Sequence, residues 1–352
     1  MKTIAWVLDT FPSPTETFIA RDIEALRARG FSIEVFALRA GEGARALEYG
    51  RIRPYFRNRW QVAGERLGEI TRRERIAHIH AGWASHPAEI ARIAAQRATV
   101  SWSFSAHARD IWVEGGDLRS KLESAAFAAA CTHAGAKALG AHSSKAQILY
   151  APHGLDLAQW PFAPRTPQSA PLILGVGRLV EKKGWNIWLE ALALLDDSSW
   201  HAELLGEGPQ QAALEKQARR LNLQNRVRFA GAVSTDAVRV AMQLASMVVF
   251  AGVEARDGDR DGLPNVLLEA AALGVPIVAT RSEAIEEFGS DALQLCTAGS
   301  AAALCDAMRA VLNKPEEAAE RATLARAVIE SRFDMRHSIA PLAHAFSERG
   351  LL

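Results

Sequence analysis

Asp261-Gly262-Leu263-Pro264-Asn265-Val266-Leu267-Leu268-Glu269, followed closely by Gly274-Val275-Pro276-Ile277-Val278-Ala279-Thr280, is the stretch that decides the fold of this chain. Turn residues open a helical run, and that run returns at once to a short apolar strand, the pattern of a helix crossing over a parallel sheet. Gly262 allows backbone to approach a ligand closely, and Pro264 suits the first helical position, where its missing N–H would be unpaired in any case. The free N–H groups of that first turn, with the helix dipole behind them, favour an anion such as a diphosphate. Glu269 follows about 8 Å further along the helix axis, so Asp261 and Glu269 are spaced to bracket a ligand about as long as a sugar diphosphate joined to a ribose. A surface loop leading into a helix with one solvated Glu has the same residues, and this segment alone leaves both readings open.

The same alternation extends in both directions. Residues 3–8, 32–38, 77–79, 99–104 and 147–149 read as strands, with helices near 15–29, 61–74, 85–96 and 117–129 between them. Pro161, Pro164, Pro167 and Pro171 then suit neither helix nor strand and read as an interdomain connection. Strands resume near 172–177, 202–205, 227–229, 247–251 and 275–279, with helices near 185–195, 209–221, 235–244, 264–273, 300–312 and 316–332. The fold class is therefore α/β: two doubly wound parallel sheets, one in residues 1–162 and one in 172–335. Ligands of such sheets bind at the carboxyl ends of the strands. Asp9 to Thr15, His107, Arg178 to Lys183 and Asp261 to Asn265 all fall there.

Three rival readings are set aside, two of them on spacing. Asp257, Asp259, Asp261 and Gly262 imitate the start of an EF-hand calcium loop, but its twelfth position is Leu268, with Glu269 one residue late and Pro264 inside the loop. Asp257-Gly258-Asp259 resembles a two-residue metal pair, yet reads more simply as a solvated acidic loop with Arg256 and Arg260 as internal counter-charges. Gly175-Val176-Gly177 begins a dinucleotide fingerprint whose next glycine is Val180 instead.

Gly-Leu-Pro-Asn-Val-Leu-Leu-Glu-Ala at 262–270, with Gly-Val-Pro-Ile-Val-Ala-Thr at 274–280, resembles the donor-site signature of retaining glycosyltransferases of family 4. Gly175-Val176-Gly177-Arg178-Leu179-Val180-Glu181-Lys182-Lys183-Gly184, Gly206-Glu207-Gly208-Pro209 and His153-Gly154-Leu155-Asp156 match in the expected order. Phe11 to Ile19 and Ser105-Ala106-His107-Ala108-Arg109-Asp110-Ile111 look like the exopolysaccharide and colanic-acid branch. The resemblance implies the GT-B architecture, two Rossmann-like domains facing a cleft, with residues 336–352 crossing back to the first. It implies catalytic roles for His107, Arg178, Lys183 and Asp261. It places the donor on Gly177, Arg178, Lys183, Gly206, Gly262, Leu263, Pro264, Asn265, Val266 and Glu269, and the acceptor near Thr15, Glu16 and Asp110. Arg178 and Lys183 then act together on the diphosphate, with no metal and no cofactor, the donor being a UDP-, GDP- or similar nucleotide sugar. Two departures limit the carry-over. Asp261 stands where the family has Glu, and Ser282-Glu283-Ala284-Ile285-Glu286-Glu287 replaces a Gly-Gly-Pro-Glu loop. The implied activity is hexosyl transfer to a glycan, a lipid-linked polysaccharide intermediate by preference. Transfer to a small soluble acceptor, or nucleotide-sugar binding without turnover, are the alternatives.

Composition agrees with an enzyme of two domains. The 352 residues exceed one ordinary core, and 49% hydrophobic with 23% charged residues is ordinary for a globular chain. The net charge of +1 exerts no global pull toward nucleic acid. Cys131, Cys296 and Cys305 lack metal or redox spacing and read as reduced core residues. The apolar run after Thr3 stops at Asp9, too early for a signal peptide, and no run reaches the ~20 apolar residues of a membrane span, so a cytoplasmic location is expected. Between Arg51 and Arg75 lie eight arginines and three acids, with Tyr55, Phe56 and Trp60 interleaved. This composition suits the anionic inner face of a membrane, and equally a solvated basic face. Thr15 is placed to cap the first helix, and Glu16 to favour its dipole.

Overall fold

The computed structural model describes residues 2–13, 15–47, 59–162, 170–195 and 199–352. The chain divides into two compact units, Met1–Gly154 with Met335–Leu352, and Leu155–Asp334.

In the first unit the strands are β1 (Thr3–Phe11), β2 (Ser32–Ala40), β3 (Arg45–Ala46), β4 (His78–Ala81), β5 (Ser101–Ala106), β6 (Phe127–Ala130) and β7 (Ile148–Tyr150). They form one parallel sheet in the order β3-β2-β1-β4-β5-β6-β7. Ile4 to Leu8 are buried without a polar interruption because helices cover both faces. Phe18, Ile23 and Leu26 of the helix Thr17–Ala28 pack on one face together with Leu342 and Phe346 of the closing helix Ala340–Ser347. Ala63 and Leu67 of Arg59–Glu74 and Ile90 and Ala94 of His86–Ala98 pack on the other. A helix was expected to run through 117–129. Instead it ends at Ser124, and β6 and a further helix, His133–Gly140, follow. The Ala-rich run carries no helical or alternating period, so pairing of Phe127 with Ser103 in the sheet decides its state.

The second unit holds β8 (Leu172–Val176), β9 (His201–Leu205), β10 (Val227–Gly231), β11 (Met247–Phe250), β12 (Ile277–Thr280) and β13 (Gln294–Cys296). All are parallel, in the order β10-β9-β8-β11-β12-β13. Residues 282–287, where the sequence departs from the family it resembles, open a helix Glu283–Gly289 capped by Ser282 Oγ, and the chain then enters β13. Residues 155–162, read from sequence as part of the first domain, belong to this unit. Leu155 donates its N–H to the Phe333 carbonyl at 2.8 Å, and Leu155 and Trp160 lie in its core. The prolines at 164 and 167 lie outside the described residues.

Each sheet reverses its strand order at one place, between β1 and β4 in the first unit and between β8 and β11 in the second. Loops leaving neighbouring strands there turn to opposite sides and leave a crevice at the carboxyl ends.

Candidate functional site

At the switch point of the second unit, β8 runs out at Gly177, whose φ of 153° and N–H bond to the Leu205 carbonyl tie it to the loop after β9. A Cβ on Gly206 would lie 2.1 Å from the Gly177 carbonyl oxygen. Backbone therefore packs on backbone, and the Gly206-Glu207-Gly208 segment is required by this contact. The chain next makes a short turn, Glu181–Lys183, and enters the helix Trp185–Ala193. Lys182 and Lys183 both turn toward the loop that carries Asp259 and Asp261.

Four charges meet there. Lys182 Nζ lies 3.0 Å from Asp259 Oδ1 and 3.2 Å from Asp261 Oδ1, and Lys183 Nζ lies 2.6 Å from Asp261 Oδ2. Lys182 and Asp259 are 7% and 6% exposed, so each needs the other to remain charged. Burial pushes the Asp261 carboxyl up, but Lys183 and then Lys182 outweigh it and hold it below the usual carboxylate range. The acidic loop is thus not the solvated one expected from sequence. Arg256 and Arg260 pair with Glu181 and Glu254, while Asp259 faces inward to Lys182. Lys182 and Asp259 were missed because nothing local distinguishes them from surface charges.

Arg178 and Lys183, expected to act as a pair, occupy different surroundings. Lys183 is held on Asp261, whereas the Arg178 side chain is exposed and makes no ion pair among the described residues. Pro264 is also displaced from its expected place. It precedes the helix Asn265–Ala272 as its cap residue, with φ −68° and ψ 130°, so the first helical N–H belongs to Asn265. Asn265 Oδ1 is buried with no hydrogen-bond partner among the described residues. Val266 is buried, Gly262 and Leu263 are half-buried before it, and Glu269 is half-buried one turn on. The structure thus pairs Lys183 with Asp261, four residues before the helix start at Asn265.

In the first unit His107 follows β5 and is buried. Its ring packs at centroid distances of 4.3 Å on Trp83, 5.2 Å on Phe18 and 5.2 Å on His153. The Asp110 carboxylate accepts the backbone N–H groups of Ala84, Ser85 and His107, and one oxygen lies 3.6 Å from His107 Nδ1. Asp110 therefore orders the two loops that hold His107. His153 Nδ1 lies 3.6 Å from Asp22 Oδ2, and burial, against the pull of that carboxylate, lowers its pKa. His153 lines a small cavity with Asp22, Ser105 and His107. Thr15 does not cap the first helix. That helix starts at Thr17 with Glu16 as cap residue, and Thr15 is an exposed turn residue. Glu16 accepts the Trp83 indole N–H at 3.3 Å.

Part of the arginine-rich segment is engaged with its own surroundings. Arg59 lies over Trp60 at 3.9 Å, Trp60 stacks on His86 at 4.0 Å, and Arg72 donates to the Arg97 carbonyl. Arg51, Tyr55, Phe56 and Arg57 lie outside the described residues. Among the described residues no helix is long and apolar enough to cross a membrane.

Residues 158–328 match the family described as glycosyl transferases group 1, a span that nearly fills the second unit. The second unit carries the likeness to that family. The lipopolysaccharide core biosynthesis glycosyltransferase LpsE of Rhizobium meliloti is 36% identical over 126 residues, covering 36% of this chain and 34% of that protein. The amylovoran biosynthesis glycosyltransferase AmsK of Erwinia amylovora is 27% identical over 175 residues, 49% of this chain and 43% of that protein. The matched segments thus span less than half the length of these relatives. The crystal structure of Anabaena Alr3699/HepE in complex with UDP and glucose has the same fold, with a TM-score of 0.83 over 99% of this chain and 100% of that one at 19% identity. The likeness to HepE is one of fold, and it takes in both parallel sheets, the GT-B architecture.

Proposed function

We propose that the chain is a retaining, metal-independent hexosyltransferase of family 4, moving a hexose from a nucleoside diphosphate sugar to a glycan, a lipid-linked polysaccharide intermediate by preference. The observation that carries this reading is the Lys183–Asp261 ion pair at the switch point of the group 1 unit. Without ligand the four charges of the cluster cancel. A diphosphate competes with Asp261 for Lys183, and the exposed Arg178 adds a second cation. Asp261, released from Lys183 but still held by Lys182, then turns lone pairs to sugar hydroxyls. The donor's ribose falls to Glu269, and the N–H groups from Asn265 onward meet the phosphate.

In the transfer, the bond from the anomeric carbon to the phosphate oxygen breaks and leaves a nucleoside diphosphate. Charge that develops on it is taken by Arg178, Lys183 and the helix start. The acceptor hydroxyl bonds to the same face of the sugar, and its proton passes to the leaving phosphate oxygen. The family resemblance assigns His107 to the transferred sugar and Thr15, Glu16 and Asp110 to the acceptor side. Within that assignment Asp110 is a positioning residue, since backbone amides occupy its oxygens. The basic segment 51–75 is assigned to the inner membrane face.

The test is thermal stabilisation by a panel of nucleoside diphosphates and their sugars, beginning with UDP, with and without chelator. A ligand at 100 times its Kd adds about 2.7 kcal/mol. Stabilisation by one nucleotide, insensitive to chelator and lost in Glu269→Ala, is the expected result. No shift with any nucleotide overturns the proposal, and loss of the shift in chelator overturns its metal independence.

A further inference from the structure

A line of hydrogen bonds runs through the interior of the first unit and ends at the cavity beside His107. His78 and His80 of β4 lie opposite Ser101 and Ser103 of β5, and the two-residue period of strands puts Ser105 on the same face. His78 Nδ1 is 2.7 Å from Ser101 Oγ and its Nε2 is 2.7 Å from Ser103 Oγ. His80 Nδ1 is 2.7 Å from Ser103 Oγ, and its Nε2 is 3.1 Å from Ser105 Oγ. His78, His80 and Ser103 are wholly buried, whereas Ser101 is exposed. Burial pushes His78 down to about 3 and His80 well below the ordinary histidine range, so both rings are neutral at pH 7.

A neutral imidazole has one N–H and one lone pair, and a hydroxyl has one hydrogen to give. Ser103 stands between two ring nitrogens and can donate to only one of them. If it donates to His80 Nδ1, His78 must carry its proton on Nε2, and His80 passes its own Nε2–H to Ser105. If it donates to His78 Nε2, every bond reverses. Two rings both donating to Ser103 would leave its hydrogen buried without an acceptor, the costly case. The five groups therefore share one direction.

Charge selects that direction. Arg349 acts on His78 from one end, with its guanidinium over the Phe127 ring at 4.8 Å. At the other end Asp22 and Asp110 lie beside His153 and His107. O–H and N–H dipoles point away from the cation and toward the carboxylates, which gives Nε2–H on both rings. Ser105 then receives from His80 and turns its own hydrogen into the cavity. This space, about 20 Å³, has room for one water. The Trp6 indole N–H, on a residue that lines it, has no hydrogen-bond partner among the described residues, and the Nδ1 atoms of His107 and His153 face the Asp110 and Asp22 carboxylates at 3.6 Å.

We propose that Ser101, His78, Ser103, His80 and Ser105 form a directional hydrogen-bond relay, and that Ser105 is its output, a donor fixed in the cavity to hold the oxygen of one water or one ligand hydroxyl beside His107 and His153. The relay stands independently of sugar transfer. Its test is long-range proton–nitrogen correlation on the full chain carrying ¹⁵N-histidine at pH 7. Both rings should be Nε2–H tautomers, and Nδ1–H on either ring overturns the proposed direction. In Ser101→Ala, a surface change that leaves the core intact, the ring nitrogens of His80 should shift together with those of His78. A shift confined to His78 overturns the relay. In Ser105→Ala the nitrogens of His107 should move, and unchanged His107 signals overturn the role of Ser105 in the cavity.

Discussion

The two units bury ionisable side chains at the ends and in the middle of their sheets in opposite ways. In the second, Lys182, Lys183, Asp259 and Asp261 remain charged and cancel one another within 3.2 Å. In the first, His78 and His80 give up the charged form and are satisfied by serine hydroxyls. Both solve the cost of taking charge out of water. They differ in what disturbs them. An anion can enter a cluster of charges by replacing one carboxylate, whereas a neutral chain responds to protons and to the direction of its neighbours' dipoles.

Acid should separate the units most strongly. The folded-state pKa of His78 is depressed from 6.5 to about 3, so the folded form binds fewer protons than the unfolded one. Stability from the neutral ring is whole above pH 6.5 and falls by about 1.4 kcal/mol per pH unit below it, down to the folded value. Asp261 is depressed from 3.8, so its contribution is whole above pH 3.8 and falls only as pH drops through the lower folded value. Hydrogen exchange at pH 7 and 4.5 should show deprotection around residues 78–80 and little change around 259–261. Equal acid sensitivity would erase the contrast.

Asp259→Ala comes next. It leaves Lys182 buried with one carboxylate instead of two, and should cost about 3 kcal/mol, on the order of 6–12 °C in melting of the second unit. The double change Lys182→Met with Asp259→Leu should recover most of that loss, because no buried charge is then uncompensated. A double variant as unstable as Asp259→Ala would show that the ions, rather than their imbalance, matter.

Lys183→Ala should leave the fold in place and weaken nucleoside diphosphate binding by about 2 kcal/mol, roughly 30-fold in Kd, as measured by titration calorimetry. Unchanged affinity would remove Lys183 from the donor site. The smallest effect compares a cap with an exposed turn residue. Ser282→Ala should cost about 1 kcal/mol, since its Oγ accepts the Ile285 N–H, whereas Thr15→Ala should stay within about 0.5 kcal/mol. Urea unfolding of both variants checks the pair.

Much of the candidate site in the second unit was legible because it is written in short segments. A glycine before a helix, a lysine after a strand and a proline at a helix start are local requirements of backbone geometry. What those segments do to each other was not legible. Asp257 and Asp259 look alike in sequence, and only the fold turns one to solvent and the other to Lys182. Lys182 and Lys183 are neighbours in the chain, and only the fold shows that Lys182 reaches both Asp259 and Asp261 whereas Lys183 pairs with Asp261.

By itself the sequence determined two wound parallel sheets, a break between them, the strand ends at which its motifs fall, and the family likeness of the second unit. Periodicity and turn chemistry act over a few residues, and those are what one chain displays. Only the tertiary structure decided that residues 155–162 join the second unit, that the Ala-rich run at 127–130 is a strand, and that five serines and histidines from β4 and β5 make one line. Each depends on register and packing between segments far apart in the chain, where the free energy comes from partners that no local pattern names.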